Sequence, residues 1–326
     1  MSRTWGYWTR GKLEVLRDYL NAFTTATKNN SRERIYLDLF AGGTDNLDRV
    51  TKKGIQSSAQ IALSIDDPPF TRLRFFEVAD KAQELESALA TEHPGRDIKI
   101  YPGDCNHQIQ HALEELKHLS WAPTFAFIDP NCMEAKWSTL KQLSEFRTKG
   151  RKTELFLLFS PQMFSRLLPT TGQPLRPEDI ESINGVFGTQ TWRNIYKMRL
   201  DESLDGGQAR EEYLNLMRWR LENELGYRWT HPLELKNTRG SSIYFMIFAT
   251  SHKAGNGIMS HLYNTAADKF PDMRKEAVNR IRQAEEESSG VMRLFSDATV
   301  SGARQERSGT RYLYVHQPPH KPSFGY

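Results

Sequence analysis

One stretch constrains this chain more than any other, the apolar segment 34–46 (RIYLDLFAGGTDN). Its isoleucine, leucine and aromatic residues predict a buried strand, and Ala41, Gly42 and Gly43 predict a tight turn beneath a helix N-terminus. Glycines let a ligand approach the backbone closely, and a carboxylate such as Asp38 accepts hydrogen bonds from an amino or ribose group. The stretch predicts a nucleoside cofactor site, although a plain turn has the same pattern.

The order of elements downstream supports the cofactor interpretation. Strands are predicted over 73–78, 98–101, 124–128 and 154–159, with helical patterns between them. Parallel strands joined by helices end at the same edge of a sheet, which is where ligands bind in open α/β folds. Acidic residues close three of these strand ends: Glu77, Asp104 and Asp129. Each alone could be a cap or a surface charge, but in this order they indicate one shared site.

The spacing changes after the fifth strand. Residues 161–207 contain prolines and glycines that predict short helices and loops, inserted between strands five and six. A helix over 208–225 follows, and then two strands, 227–235 and 241–250, whose short link requires an antiparallel hairpin. The sequence therefore predicts an α/β, Rossmann-like fold with a seven-stranded mixed sheet and an antiparallel last strand. A dehydrogenase sheet would have continued in parallel.

Length and composition place the chain among globular proteins. It has 326 residues, 38% of them hydrophobic, and a formal charge of +4, which permits a polyanionic partner without requiring one. No apolar stretch is long enough to span a bilayer and no signal core is visible, so we expect a cytoplasmic protein without membrane contact. We expect a main domain over 1–265 and an extension over 266–326, with helices at 258–267 and 272–286 and a lightly anchored tail.

Three local patterns invite functional assignments that the rest of the sequence does not support. The tetrapeptide DPPF at 67–70 resembles a motif of amino-group methyltransferases, but it precedes the second strand. Prolines at this place commonly follow the end of a helix. His107 and His111 have the spacing of metal ligands on a helix, yet the glutamate of a zinc-protease motif is missing, and we predict no metal. Cys132 lacks the sequence context of a cysteine nucleophile.

Several dispersed phrases resemble one known family. WTRGKLEVLRDYL, YLDLFAGG, GDCN, TFAFIDP, LFLLFS, FGTQTWRNIY and NTRGSSIYFMIFATSH occur in this order over most of residues 8–265. They resemble class I S-adenosylmethionine-dependent methyltransferases, and within them the bacterial three-Cys-motif partner proteins. The resemblance implies S-adenosyl-L-methionine as cofactor and a possible protein partner bearing three cysteines.

The resemblance also implies roles for individual residues. Asp38, Ala41 and Gly42 would line the methionine end of the cofactor, Glu77 would hold the ribose, and Asp104 with Cys105 would contact the adenine. Phe40 and Gly43 belong to the same cofactor loop. Asp129 and Pro130 would face the acceptor as the catalytic pair, and the substrate-binding residues would be Asn131, Trp137 and Ser160.

The acceptor motif departs from the amino-group pattern. In Asp-Pro-Pro-aromatic enzymes the carboxylate and a backbone carbonyl accept from the amine while the ring stacks on the base. Here Asn131 and Cys132 replace the second proline and the ring, so adenine chemistry does not follow directly. Trp137 or Phe164 could supply a substitute stacking surface, although core packing explains either ring equally well.

Three functions remain open at this stage. The first is methyl transfer to a nucleic-acid base or nucleotide-like acceptor, which the aromatic and basic N-terminal residues 3–10 also favour. The second is methyl transfer to a small molecule or a modified peptide made with a partner protein. The third is a non-catalytic binding subunit that retains a methyltransferase fold.

Overall fold

A seven-stranded sheet organises the protein. The computed structural model describes residues 3–44, 46–48, 54–131, 133–170, 173–289 and 316–322. The strands of the sheet are β1 (Ile35–Asp38), β2 (Arg72–Glu77), β3 (Ile98–Pro102), β4 (Thr124–Ile128), β5 (Glu154–Phe159), β6 (Trp229–Lys236) and β7 (Ser242–Thr250). All of them lie where the sequence predicts a strand, with ends that differ by a few residues at most.

The strand order is β3-β2-β1-β4-β5-β7-β6. Strands β1 to β5 pair in parallel, whereas β7 is antiparallel to both β5 and β6. Every residue of β1, β4 and β5 is buried, as expected for central strands covered on both faces. The order and directions confirm the predicted Rossmann-like α/β fold with its antiparallel last strand.

Helices cover both faces of the sheet. They are α1 (Tyr7–Thr27), α2 (Ser58–Ser64), α3 (Ala79–Glu92), α4 (Cys105–Glu115), α5 (Trp137–Glu145), α6 (Pro161–Leu167), α7 (Pro177–Phe187), α8 (Trp192–Leu200), α9 (Gly206–Asn223) and α10 (Lys253–Ser289). Buried side chains of α1, α2, α3 and α10 form one core, and those of α4 to α9 form the other. The sheet thus separates two layers, and its loops are free to form a site.

The insertion between β5 and β6 is helical, as predicted. It contains α6, α7 and α8, and α7 ends at Gly188, whose φ of 62° is the left-handed conformation that glycine adopts readily. Trp192 of α8 is fully buried, and its ring nitrogen donates to Asn184 Oδ1 of α7 at 2.8 Å. This contact ties α7 to α8, so part of the insertion is fixed to the second core.

Two features differ from the sequence prediction. A single helix, α10, runs through Pro271, where the sequence predicts two helices with a break. This helix packs along α1, and a Cβ at Gly11 would lie 2.7 Å from the ring of Phe270, so tertiary packing outweighs the local effect of proline. The second is a small sheet of Arg3–Trp5, Asn46–Asp48 and Gly54–Ile55, which was not predicted. The division into domains at residue 265 stays a prediction.

The C-terminal residues 316–322 have no regular secondary structure and lie against α9. The Asn215 side chain of α9 donates to the His320 carbonyl at 2.9 Å and accepts from its N–H at 3.0 Å. The tail is therefore anchored through its backbone at this point. Across the described ranges, every helix is too short or too polar to span a lipid bilayer.

Candidate active site

A cleft of about 1210 Å³ opens at the carboxyl edge of the parallel strands. Loops after β1 to β5 form its floor, and α1, α6 and α7 contribute to its walls. The cleft brings together most of the predicted site residues: Phe40, Ala41, Gly42, Gly43, Glu77, Asp104, Cys105, Asp129, Pro130, Asn131 and Ser160. Asp38 and Trp137 are the two that do not line it.

The glycine turn after β1 forms one end of the cleft. Gly42 has a φ of 67°, and a Cβ placed on Gly42 or Gly43 would meet no atom within 4 Å. The backbone at these positions therefore borders open space that a ligand can enter. The Gly42 N–H donates to Glu77 Oε2 at 2.7 Å, which joins the turn to the end of β2.

Asp38 lies beneath the turn and is fully buried. Its carboxylate accepts from the Tyr36 hydroxyl at 3.1 Å and from the Phe40 N–H at 3.4 Å, and Ser58 of α2 also hydrogen bonds to it. Burial raises the pKa of Asp38 to about 7, although these hydrogen bonds act in the opposite direction. Asp38 thus supports the turn from below.

Glu77 and Asp104 stand on the walls of this end. Glu77 closes β2, and the next residue, Val78, is 54% exposed and offers an apolar surface. Asp104 caps α4, because its Oδ1 accepts from the Asn106 N–H at 2.8 Å. Burial, with Asp104 and Glu134 nearby, raises the pKa of the Cys105 thiol to about 12, so Cys105 is a neutral lining group.

The other end of the cleft, at the loop after β4, contains an ion pair that was not predicted from the sequence. Lys12 of α1 pairs with Asp129 Oδ2, although 117 residues separate them. The Lys12 side chain is 6% exposed and that of Asp129 is 28% exposed. The Lys12 ammonium also lies 5.9 Å from the centre of the Phe127 ring. One carboxylate oxygen is therefore held by a buried cation, while Asp129 still borders the cleft.

Lys12 had a detectable signal in the sequence. It falls in phase with the buried positions Leu16, Tyr19 and Phe23 of α1, so a lysine stands on the apolar face of the helix. A buried lysine needs a partner, because an unpaired charge is costly to remove from water. Tyr244 of β7 lines the same end of the cleft, and burial, with Asp129 nearby, raises the pKa of its hydroxyl well above the ordinary value.

Asn106 organises the loop that follows Asp129. Its side-chain nitrogen donates to the Glu134 carbonyl at 2.8 Å, and its oxygen accepts from the Lys136 N–H at 3.0 Å. The Asn131 N–H in turn donates to Glu134 Oε2 at 2.9 Å. These contacts fix the loop on α4. Cys132 lies outside the described residues.

Of the three predicted acceptor residues, Asn131 and Ser160 line the cleft, whereas Trp137 lies outside it. The Ser160 hydroxyl donates to the Ile243 carbonyl at 2.7 Å. The Trp137 ring centre lies 4.1 Å from the Arg220 guanidinium, and Phe164 is buried against Tyr213 with ring centres 4.9 Å apart. Neither ring lines the cleft, so neither supplies a stacking surface there.

The insertion supplies further side chains that line the cleft. They are Met163 and Arg166 of α6 with Glu178, Glu181 and Ser182 of α7. The sequence predicts the insertion but singles out none of these residues. DPPF at 67–70 lies away from the cleft, since Phe70 is buried against Phe23 with ring centres 5.8 Å apart.

No protein-family model matches the chain. No curated protein is significantly similar to it in sequence. Among solved structures, yhhF from Escherichia coli, a proposed methyltransferase, has a TM-score of 0.32 at 11% identity, and the match covers 72% of this chain and 86% of that one. Protein LPL1258 from Legionella pneumophila, of family DUF519, has a TM-score of 0.46 at 11% identity, covering 78% and 91%. The fold assignment therefore rests on strand order and direction.

Proposed function

We propose that the protein is an S-adenosylmethionine-dependent methyltransferase with a nucleotide-like acceptor. The observation that carries the proposal is the position of Asp129, which borders the same cleft as the glycine turn and Glu77. One end of the cleft has the groups that suit a nucleoside cofactor, and the other has a carboxylate that can accept a proton. The proposal also includes a partner protein that bears three cysteines, and this part is supported only by the sequence resemblance.

The residues at the glycine-turn end fit the cofactor in their chemistry. Gly42 and Gly43 border open space, Glu77 can accept from both ribose hydroxyls, and Asp104 can accept from an exocyclic amine. Val78 offers an exposed apolar surface next to Glu77 for a base. When bound there, the cofactor supplies a methyl group on a sulfonium centre.

The cleft is larger than a typical site for one drug-sized ligand. Sites for one drug-sized ligand occupy about 300–1,000 Å³, and this cleft has about 1210 Å³. The glycine-turn end accounts for one nucleoside, which leaves the Asp129 end for an acceptor. Methyl transfer is an in-line displacement, so the protein contributes chiefly alignment and a route for the proton.

Asp129 is the group that would take up that proton. A carboxylate can accept a hydrogen bond from an acceptor N–H or O–H, and the proton would move to it as the acceptor atom bonds to the methyl carbon and the carbon–sulfur bond of the cofactor breaks. Lys12 holds one oxygen of Asp129 in place, which leaves the other for the acceptor. Asp129 is therefore the proposed catalytic residue, and Lys12 is a positioning residue.

One observation favours a second candidate, the non-catalytic subunit. The Lys12 ammonium already occupies Asp129 Oδ2, and the neighbouring motif lacks the aromatic residue of amino-group enzymes. If the second oxygen of Asp129 does not reach the acceptor, the chain would bind cofactor without turnover. Cofactor binding alone cannot separate these two functions, but methyl transfer can.

The first experiment is calorimetric titration with S-adenosylmethionine and, separately, with NAD. We expect binding of the first only, followed by transfer of labelled methyl groups to RNA, DNA or nucleotide pools. Asp129→Ala should abolish transfer and retain cofactor binding. Asp67→Ala is the matched control, since Asp67 belongs to the DPPF segment outside the cleft and its side chain is 84% exposed. Cofactor binding with no transfer to any pool would favour the non-catalytic subunit.

A further inference from the structure

A second pocket, of about 510 Å³, adjoins the candidate active site. It lies where the start of α5, the end of α7 and the end of α9 meet. Lys136 and Gly185 line both the pocket and the cleft, so the two are neighbours. None of the steps proposed above uses this pocket.

The charged side chains of the pocket are mostly cationic. Lys136, Lys141 and Arg220 line it, together with one carboxylate, Glu224. Lys136 and Lys141 are exposed, and the only ion pair of Lys141 within the described residues is with Glu145 at 4.0 Å. The pocket therefore has a net positive charge even after Glu224 is counted.

Arg220 has a nitrogen without a partner. The residue is 6% exposed, and its Nε donates to Glu224 Oε1 at 2.7 Å while its Nη2 contacts the other oxygen. Its Nη1 is buried and has no hydrogen-bond partner in the described part of the chain. Buried donors are nearly always paired in folded proteins, so an acceptor is expected near this guanidinium.

The N-terminus of α5 opens into the same pocket. The helix has nine residues, and its N-cap residue, Lys136, makes no side-chain capping hydrogen bond. Trp137 and Ser138, the first two helical residues, line the pocket. The first amides of a helix lack partners within it and favour an anion. An anionic ligand is therefore favoured by the helix N-terminus, by the two lysines and by the buried arginine.

We propose that this pocket binds a phosphate group of the acceptor. As a statement about the acceptor it rests on the proposed methyltransferase function, but phosphate binding can be measured without any transfer. The phosphate belongs either to a free nucleotide or to a nucleic-acid backbone, and both present the same anionic oxygens to Lys136, Lys141 and Arg220. Because Lys136 also lines the cleft, a phosphate here would place the attached nucleoside towards Asp129.

The test uses the full chain and a double variant, Lys136→Gln with Lys141→Gln. The matched control is Lys117→Gln with Lys197→Gln, which removes two exposed lysines that do not line the pocket. Inorganic phosphate is titrated by calorimetry at low ionic strength. We expect about tenfold weaker binding in the double variant and a change within about twofold in the control.

A second arm separates the two phosphate sources. A nucleoside, its 5′-monophosphate and a short single-stranded RNA compete with phosphate for the wild-type protein. Competition by the monophosphate alone identifies a nucleotide acceptor, and competition by RNA identifies a nucleic acid. Equal phosphate binding in wild type and double variant, equal weakening in the control, or no phosphate binding at all would overturn the proposal. Phosphate binding without methyl transfer would instead overturn the proposed function and leave the site in place.

Discussion

The two ends of the cleft are assembled in different ways. At the proposed cofactor end, Glu77 ends β2, and Gly42 and Asp104 come within four residues of the ends of β1 and β3, so each group is placed by the strand just before it. At the acceptor end, Asp129 follows β4, but Lys12 comes from α1, and Arg166 and Glu178 come from the insertion. Groups that lie close to their strand can be predicted from the sequence. The pairing of Asp129 with Lys12, 117 residues away, cannot.

The largest effect should come from Asp129→Asn, which keeps the shape and removes the proton acceptor. We expect the rate of methyl transfer to fall by about 10²–10⁴-fold, the range for loss of a general base. Cofactor affinity should stay nearly unchanged, because Asp129 lies at the acceptor end. Single-turnover kinetics with labelled cofactor, together with calorimetry, measure both quantities. A parallel loss of cofactor affinity would show that the two ends of the cleft do not act separately.

The next effect concerns stability and belongs to the cofactor end. Burial raises the pKa of Asp38 to about 7, and the unfolded carboxyl has a pKa of about 3.9. The folded state therefore binds the proton more tightly than the unfolded state. Asp38 does not lower the free energy of unfolding below about pH 4, and it lowers this free energy increasingly as pH rises from about 4 to 7. The change is on the order of 4 kcal/mol at most.

Asp38→Asn should remove this pH dependence. We expect the thermal midpoints of wild type and variant to converge near pH 4 and to separate by pH 8, with the variant relatively more stable there. Burial also raises the pKa of Glu154, which accepts hydrogen bonds from Tyr19 and Thr250, so some decline remains in both proteins. The difference between the two curves isolates Asp38, and a constant difference across this pH range would contradict the assignment.

A smaller effect is expected for Glu77→Ala. The carboxylate accepts from the Gly42 N–H and would accept from the ribose, so its loss removes hydrogen bonds to a charged group worth about 1.5–3 kcal/mol. Cofactor affinity should fall by roughly 10–100-fold, while the rate at saturating cofactor changes little. Glu77→Gln should lose less, because its amide oxygen still accepts. A variant that loses rate but not affinity would place Glu77 at the acceptor end.

The sequence predicted the fold because its central strands, β1, β4 and β5, are short apolar runs that can be recognised without knowing what packs against them. The strands Asn46–Asp48 and Gly54–Ile55 escaped because they are too short to show a periodic pattern. The break predicted near Pro271 was wrong, since packing of α10 on α1 is a tertiary property. Trp137 was a candidate to replace the ring missing from the Asp-Pro motif, with core packing as an equal explanation, and nothing local showed that Arg220 packs against its ring.

Substitution of Lys12 should have the smallest effect. It tests most directly whether the Asp129 end of the cleft depends on a residue that is distant in sequence. Lys12→Met keeps the length of the side chain and its apolar contacts but removes the cation that holds Asp129. We expect about a tenfold loss of rate with cofactor affinity unchanged, because a freed carboxylate samples orientations that do not face the acceptor. The thermal midpoint should change little, since the apolar side chain avoids the desolvation of an ammonium group and the remaining Asp129 carboxylate is 28% exposed to solvent. Lys28→Met, at the exposed end of α1, controls for loss of one lysine.

Lys12→Arg should restore part of the rate, because it returns a cation to Asp129. An unchanged rate in Lys12→Met would mean that Asp129 needs no distant partner, and the acceptor end would then be as locally determined as the cofactor end.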